Sequence, residues 1–127
     1  IFKLTQKLGV EKNIEFLGYV SENNKAKLIT NARALINPSF LGPTNIPQIE
    51  AFKLSCPVIL SNVFAAKEQC GDSVIYFDPN YSESIAASIE RIWESDYLYE
   101  LYSSKSSSRF KNFTHEKFSS DLIRNIF

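Results

Sequence analysis

The residues best placed to do chemistry in this chain lie between Leu41 and Asn62. The run Leu41-Gly-Pro-Thr-Asn-Ile-Pro-Gln-Ile-Glu50-Ala-Phe leads towards Cys56-Pro-Val-Ile-Leu-Ser-Asn62. A glycine turn, a helix start bearing one carboxylate and a short apolar strand follow one another. That order suits a phosphate-bearing ligand held over a helix N-terminus, where free N–H groups and the positive end of the dipole favour an anion. Asn45 is the expected cap, and Gln48 is placed to reach back to the Asn45 backbone as in a capping box. Pro47 falls in the first turn, where its missing N–H costs nothing. Glu50 follows about one turn in, where a carboxylate accepts hydrogen bonds from sugar hydroxyls. A plain loop and helix with a surface glutamate shows the same local features, because short motifs of this kind often match by chance.

Other reactive side chains are isolated. His115 is the single histidine, and base catalysis needs a positioned partner. Cys56 and Cys70 are too few for a disulfide framework or a zinc site, and they read as reduced thiols in a cytoplasmic protein. Glu68, Asp72 and Asp78 are spread among turns, which argues against a carboxylate metal site. Lys25, Lys27 and Arg33 read as a solvated helix face or a small basic patch. Trp93 falls on an apolar helix face and reads as core. Tyr97, Tyr99 and Tyr102 read as packing residues of a helical tail rather than a base-stacking platform.

These residues need elements to hold them. The 127 residues fit one domain, and 44% hydrophobic with 22% charged residues suits a globular fold. Fourteen basic residues balance fourteen acidic ones, so no net field recruits nucleic acid or an anionic membrane. No apolar run approaches the roughly 18 residues needed to span a bilayer. The chain has no methionine and opens in what looks like the middle of a helix, so it reads as a piece of a longer protein.

Ile1, Leu4 and Leu8 recur at helical spacing, with Gly9 as the stop. Residues 14–18 read as a short strand, and Ser21 as the cap of a helix running to Asn31. Apolar strands are expected at residues 34–36, 58–60 and 74–77. A helix running to about Ser55 lies between the first two, and a short helix at residues 65–69 between the last two. Asn80 and Glu83 suggest a second capping box, and Ile85, Ile89, Ile92 and Trp93 form one face of the next helix. A polar, serine-rich stretch at residues 103–108 follows Leu98 and Leu101 within the helical tail, and Phe118, Leu122 and Ile126 mark a C-terminal helix. Unbroken Val/Ile/Leu strands are buried on both faces and pair in parallel, with right-handed helical crossovers. The expected fold is therefore α/β: a Rossmann-like parallel sheet of about four strands with flanking helices and a helical tail. Ligands in such folds sit beyond the carboxyl ends of the strands. That edge gathers Gly18-Tyr-Val20, Pro38-Ser-Phe40, residues 41–45, Ser61-Asn62 and Asp78.

The run Phe16-Leu-Gly-Tyr-Val20, Ala34-Leu-Ile-Asn-Pro-Ser39, Gly42-Pro-Thr-Asn-Ile-Pro-Gln-Ile-Glu-Ala51, Cys56-Pro-Val-Ile59 and Cys70-Gly-Asp72 resembles the C-terminal lobe of family 4 glycosyltransferases. These are retaining, metal-independent enzymes of the GT-B fold. The resemblance implies that residues 1–127 form a single nucleotide-sugar-binding domain, part of a two-lobed enzyme whose N-terminal lobe binds the acceptor. It implies transfer of a hexose or N-acetylhexosamine from a nucleotide sugar, UDP-linked donors included, to a growing bacterial surface polysaccharide such as O-antigen. It implies no metal and no other cofactor, and a cytoplasmic site peripheral to the inner membrane through the parent protein. The donor-binding set it implies is Tyr19, Val20, Ser39, Gly42, Pro43, Thr44, Asn45, Ile46 and Glu50. Glu50 matches the glutamate that holds the ribose hydroxyls, while Tyr19 and Val20 match the loop near the base. None of these is assigned as acid, base or nucleophile.

The family pattern also carries an upstream glutamate against the donor sugar, and that position is Gly42 here. Backbone N–H groups, Thr44 and Asn45 would have to take over. The basic pair that clamps the diphosphate in relatives has no match before Ile14. Two strands of the family lobe are likewise unmatched, and their expected place is between residues 14–18 and 34–36. The unpaired edges this leaves favour self-association. The alternative readings are a GT-B-like sugar-nucleotide epimerase and a noncatalytic sugar-nucleotide or protein interaction module.

Overall fold

The computed structural model describes residues 1–40, 46–114 and 117. In chain order it contains α1 (Phe2–Lys7), a 3-10 turn (Glu11–Asn13), α2 (Glu22–Asn31), β1 (Leu35–Asn37), α3 (Ile46–Lys53), β2 (Val58–Ser61), α4 (Ala66–Cys70), β3 (Ile75–Phe77), α5 (Ser82–Glu94), α6 (Asp96–Phe110) and a second 3-10 turn (Lys111–Phe113). The strands form one parallel sheet in the order β1-β2-β3. Ile36 lies opposite Ile59, and Ile59 opposite Ile75. Every residue of the central strand β2 is buried, which is why its sequence runs apolar without alternation. Val58 and Leu60 face Ile29, Ala51, Phe52, Ala66 and Cys70. Ile59 faces the other way, towards Ile75, Phe77 and Ile92, with Ile85, Ile89, Tyr99 and Tyr102 around them. Helices therefore cover both faces of the sheet, as a doubly wound layer requires.

The α/β class and its parallel sheet are as expected, but there are three strands among the described residues rather than about four. Residues 14–18 have no strand partner, and Ile14, Phe16 and Leu17 are 41, 51 and 47% exposed. A strand is a paired structure, and no strand lies alongside them among the described residues to take up their backbone groups. The α1 stripe behaves the same way. Ile1, Leu4 and Leu8 stay exposed, and the main aromatic contact of this segment is an edge-to-face pair of Phe2 and Phe16 at 5.5 Å. Trp93, expected in the core, is 69% exposed on the rim of a small groove beyond the β1 edge, beside Ile36 and Ile89. The residue capping α5 is Tyr81 rather than Asn80; Asp78 Oδ1 instead accepts from the Asn80 backbone at 2.9 Å. The expected helix after Thr114, with His115, lies outside the described residues.

Two helices end in the same motif. At α1, the Gly9 N–H donates to Gln6 and the Val10 N–H to Thr5, with Gly9 at φ +67°. At α3, the Ser55 N–H donates to Phe52 and the Cys56 N–H to Ala51, but the left-handed position is a serine at φ +56°. A side chain there costs energy that glycine avoids. We expect Ser55→Gly to stabilise the fold by about 0.5–1 kcal/mol, net of the extra freedom glycine gains when unfolded. The bond from Ser103 Oγ to the Ser55 carbonyl, 2.8 Å, uses only backbone and is kept. A urea midpoint that fails to rise would contradict this account.

Burial also sets how stability responds to alkali. Burial pushes the Cys70 thiol up to about 11 and the Tyr76 phenol up to about 12, from 9.0 and 10.0. The Tyr76 hydroxyl donates its proton to the Gly71 carbonyl at 2.8 Å, with the Ala66 carbonyl 3.2 Å away as a weaker, shared acceptor. Above pH 9 the unfolded chain loses these protons before the native chain does. Stability conferred by the two groups is therefore complete below about pH 9 and falls as pH rises towards 12. Denaturant titrations at pH 8, 9.5 and 11 should show that decline. Tyr76→Phe should be less stable at pH 8 but flatten the upper part of the curve; an unchanged slope would rule out Tyr76 as a source.

Candidate functional site

Because all three strands run in parallel, their carboxyl ends share one edge. Ser61 Oγ donates to the Asn37 carbonyl at 3.3 Å, and the Asn62 N–H donates to Phe77 at 2.8 Å. These bonds hold the ends of β1, β2 and β3 together. Ser39 is half-buried just past β1, and Ile46 opens α3 at the surface. Gly42, Pro43, Thr44 and Asn45 lie outside the described residues, and so does the backbone partner expected for Gln48. Gln48 itself is fully buried, and neither its Oε1 nor its Nε2 has a hydrogen-bond partner among the described residues.

Glu50 lies one turn into α3, on the side that faces α2. Lys25 Nζ donates to Glu50 Oε1 at 2.7 Å and also lies 3.0 Å from Glu22 Oε2. The hydrogen bond to Glu50, followed by that to Glu22, holds the Lys25 ammonium above its ordinary pKa. These groups and Lys53 line a cleft of about 160 Å³ floored by Ile29 and Leu54. Two carboxylates and two ammonium groups thus share one narrow space between α2 and α3.

Tyr19 and Val20 lie elsewhere. They line a groove of about 830 Å³ with Asn24, Lys27, Leu28 and Asn31, on the face of α2 opposite Lys25 and Ile29. The Tyr19 ring is almost fully exposed. The structure therefore sets Glu50 and Tyr19 in two separate depressions with α2 between them. Lys25 is the residue that sequence reasoning missed. In sequence it reads together with Lys27 and Arg33, whereas each of the three faces a different environment. Arg33 donates to the Ile92 carbonyl at 2.9 Å, pairs with Asp96 at 2.8 Å and lies over the Tyr99 ring. It joins α5 to α6 and belongs to no basic patch. Cys56 and Cys70 are free and buried.

A parallel sheet covered by helices on both faces defines a Rossmann-like α/β domain. The chain belongs to the group 1 glycosyl transferases, whose family pattern matches residues 1–114. It is 29% identical over 123 residues to the O-antigen chain mannosyltransferase B of Escherichia coli, a match covering 97% of this chain and 32% of that protein. It is 32% identical over 85 residues to the O-antigen chain mannosyltransferase RfbU of Salmonella typhimurium, covering 67% of this chain and 24% of that one. The chain thus spans a third or less of these relatives. In fold it matches the sucrose-phosphate synthase of Thermosynechococcus elongatus with a TM-score of 0.85, at 21% identity, over 99% of this chain and 33% of that one. The domain is the C-terminal lobe of a GT-B glycosyltransferase.

Proposed function

We propose that this chain is the donor-binding lobe of a retaining hexosyltransferase that extends a bacterial surface polysaccharide. The observation that carries the reading is Glu50, one turn into α3 on the side facing α2, with one carboxylate oxygen held by Lys25 and the other without a hydrogen bond among the described residues. In this reading Glu50 accepts hydrogen bonds from the ribose hydroxyls and so positions the nucleoside. The N-terminus of α3 faces the diphosphate and stabilises the charge that builds on it as the glycosidic bond to the donor sugar breaks. Such stabilisation is fixed in advance and needs no metal and no side-chain nucleophile from this lobe. Both curated relatives are named as O-antigen chain mannosyltransferases, which favours mannose among the hexoses. Their extra length is ample for an acceptor-binding lobe, the partner this reading requires. It places the reaction on the cytoplasmic side of the inner membrane; no helix among the described residues is long and apolar enough to cross a membrane. A noncatalytic module is the second reading, and the glycine at position 42 in place of the family glutamate favours it.

Two outcomes follow. In the full-length protein, Glu50→Ala should weaken nucleoside diphosphate binding by about 1.5–3 kcal/mol, the worth of a hydrogen bond to a charged group. Titration calorimetry with UDP, GDP and ADP measures this, and unchanged affinity for every nucleotide that binds would sink the ribose assignment. Residues 1–127 alone should release no glycan product from any nucleotide sugar, because nothing in them aligns an acceptor with the donor. Product formed by the purified 127-residue chain would refute the two-lobed reading, and full-length protein that binds donor but never turns it over would support the noncatalytic one.

A further inference from the structure

We infer that Lys25 is a positioning residue for Glu50, holding its carboxylate by one oxygen so that the other is presented to the ribose; the inference rests on the ribose reading above. Lys25 Nζ is 2.7 Å from Glu50 Oε1, and no hydrogen bond engages Oε2 among the described residues. Both side chains are only about a third exposed, at 35% and 30%, whereas Glu22, the other partner of Lys25, is 82% exposed. The Lys25–Glu50 contact is therefore the sheltered arm of the triad and Glu22 the solvated one. A glutamate on a helix surface has several rotamers of similar energy. The ammonium across the cleft selects the one that points towards α2.

The pair has a second effect. A bare carboxylate close to the start of α3 would repel a diphosphate bound there. With Lys25 against Glu50, and Lys53 lining the same cleft, two positive and two negative side chains cancel. The carboxylate keeps its hydrogen-bonding power while its field on a nearby anion is reduced. Lysine suits the role because its ammonium can donate to both glutamates at once.

The test is the ratio of affinities for a nucleoside diphosphate and its 2′,3′-dideoxy analogue, by calorimetry on the full-length protein. The base used is whichever of uracil, guanine or adenine the wild type binds best. The wild type should prefer the ribose form by about tenfold or more. Lys25→Met keeps the aliphatic stem, removes the ammonium and should lose most of that preference. Lys25→Arg should retain it. Glu50→Gln should lose it too, and adding Lys25→Met to Glu50→Gln should cost little more. A Lys25→Met protein that binds both ligands more weakly but with the wild-type ratio would show a plain strut between α2 and α3, and would overturn the inference while leaving the ribose reading intact. Glu50→Gln with an undiminished ratio, or a wild type that binds none of the three nucleotides, would overturn the ribose reading and the inference with it.

Discussion

The structure hangs on the burial of β2 from both sides. Val58 and Leu60 point into one half of the core and Ile59 into the other, so neither face of this strand can meet water. Burying each such side chain is worth about 1.5–3 kcal/mol, and together they demand helices above and below the sheet. Helices on both faces are compatible with short parallel strands joined by crossovers, and parallel strands put all their carboxyl ends on one edge. The location of Glu50 is thus a consequence of β2. Ala51 and Phe52, the residues following Glu50, are fully buried against Val58 and Leu60, and this fixes the rotation of α3. With its inner face committed, the helix turns Glu50 outward to α2.

The turn between α3 and β2 is held from a distance. Ser103 Oγ donates to the Ser55 carbonyl at 2.8 Å, and Ser106 Oγ donates to that of Cys56 at 3.0 Å. Both serines lie on α6, whose first half packs Leu98, Tyr99 and Tyr102 on one side of the sheet while Phe110 reaches the other core. In sequence the serine-rich stretch is polar and gives no sign of what it contacts. In the fold it is an uninterrupted helix whose small polar side chains satisfy carbonyls that the α3 terminus leaves open. Serine fits where a larger side chain would hold the two helices apart.

What could be read in the sequence follows from how local each signal is. The strands at Leu35–Asn37, Val58–Ser61 and Ile75–Phe77 were legible because an apolar run between turn residues states its own burial. The helix from Ser21 was legible from its capping residue, and Ser21 is its N-cap, although its side chain makes no capping bond. Residues 14–18 carry the composition of a strand, but pairing is a property of the neighbour, and β1 is hydrogen-bonded on one side only. Trp93 misled for a related reason: its helix face is apolar, yet the part beyond Ile92 looks over the open β1 edge. Glu50 was found as a carboxylate near a helix start. Its partner was not, because Lys25 is separated from it by the whole of β1 and becomes its neighbour only when α2 packs on α3.

The division made by α2 constrains any ligand that uses both depressions. Lys25 and Ile29 face the Glu50 cleft, while Asn24, Lys27, Leu28 and Asn31 face the groove of Tyr19. A helix with its side chains is about 10–12 Å across, so a nucleoside cannot reach through it. A ligand touching both Glu50 and Tyr19 must cross the helix where it begins, over Ser21 and Glu22. That end has free backbone N–H groups and no side-chain cap, since Ser21 makes no such bond. The groove mixes apolar Val20 and Leu28 with polar Asn24 and Asn31, whereas the cleft is dominated by the charges of Lys25 and Glu50. It is the helix, rather than either depression alone, that sets the spacing between the two surfaces.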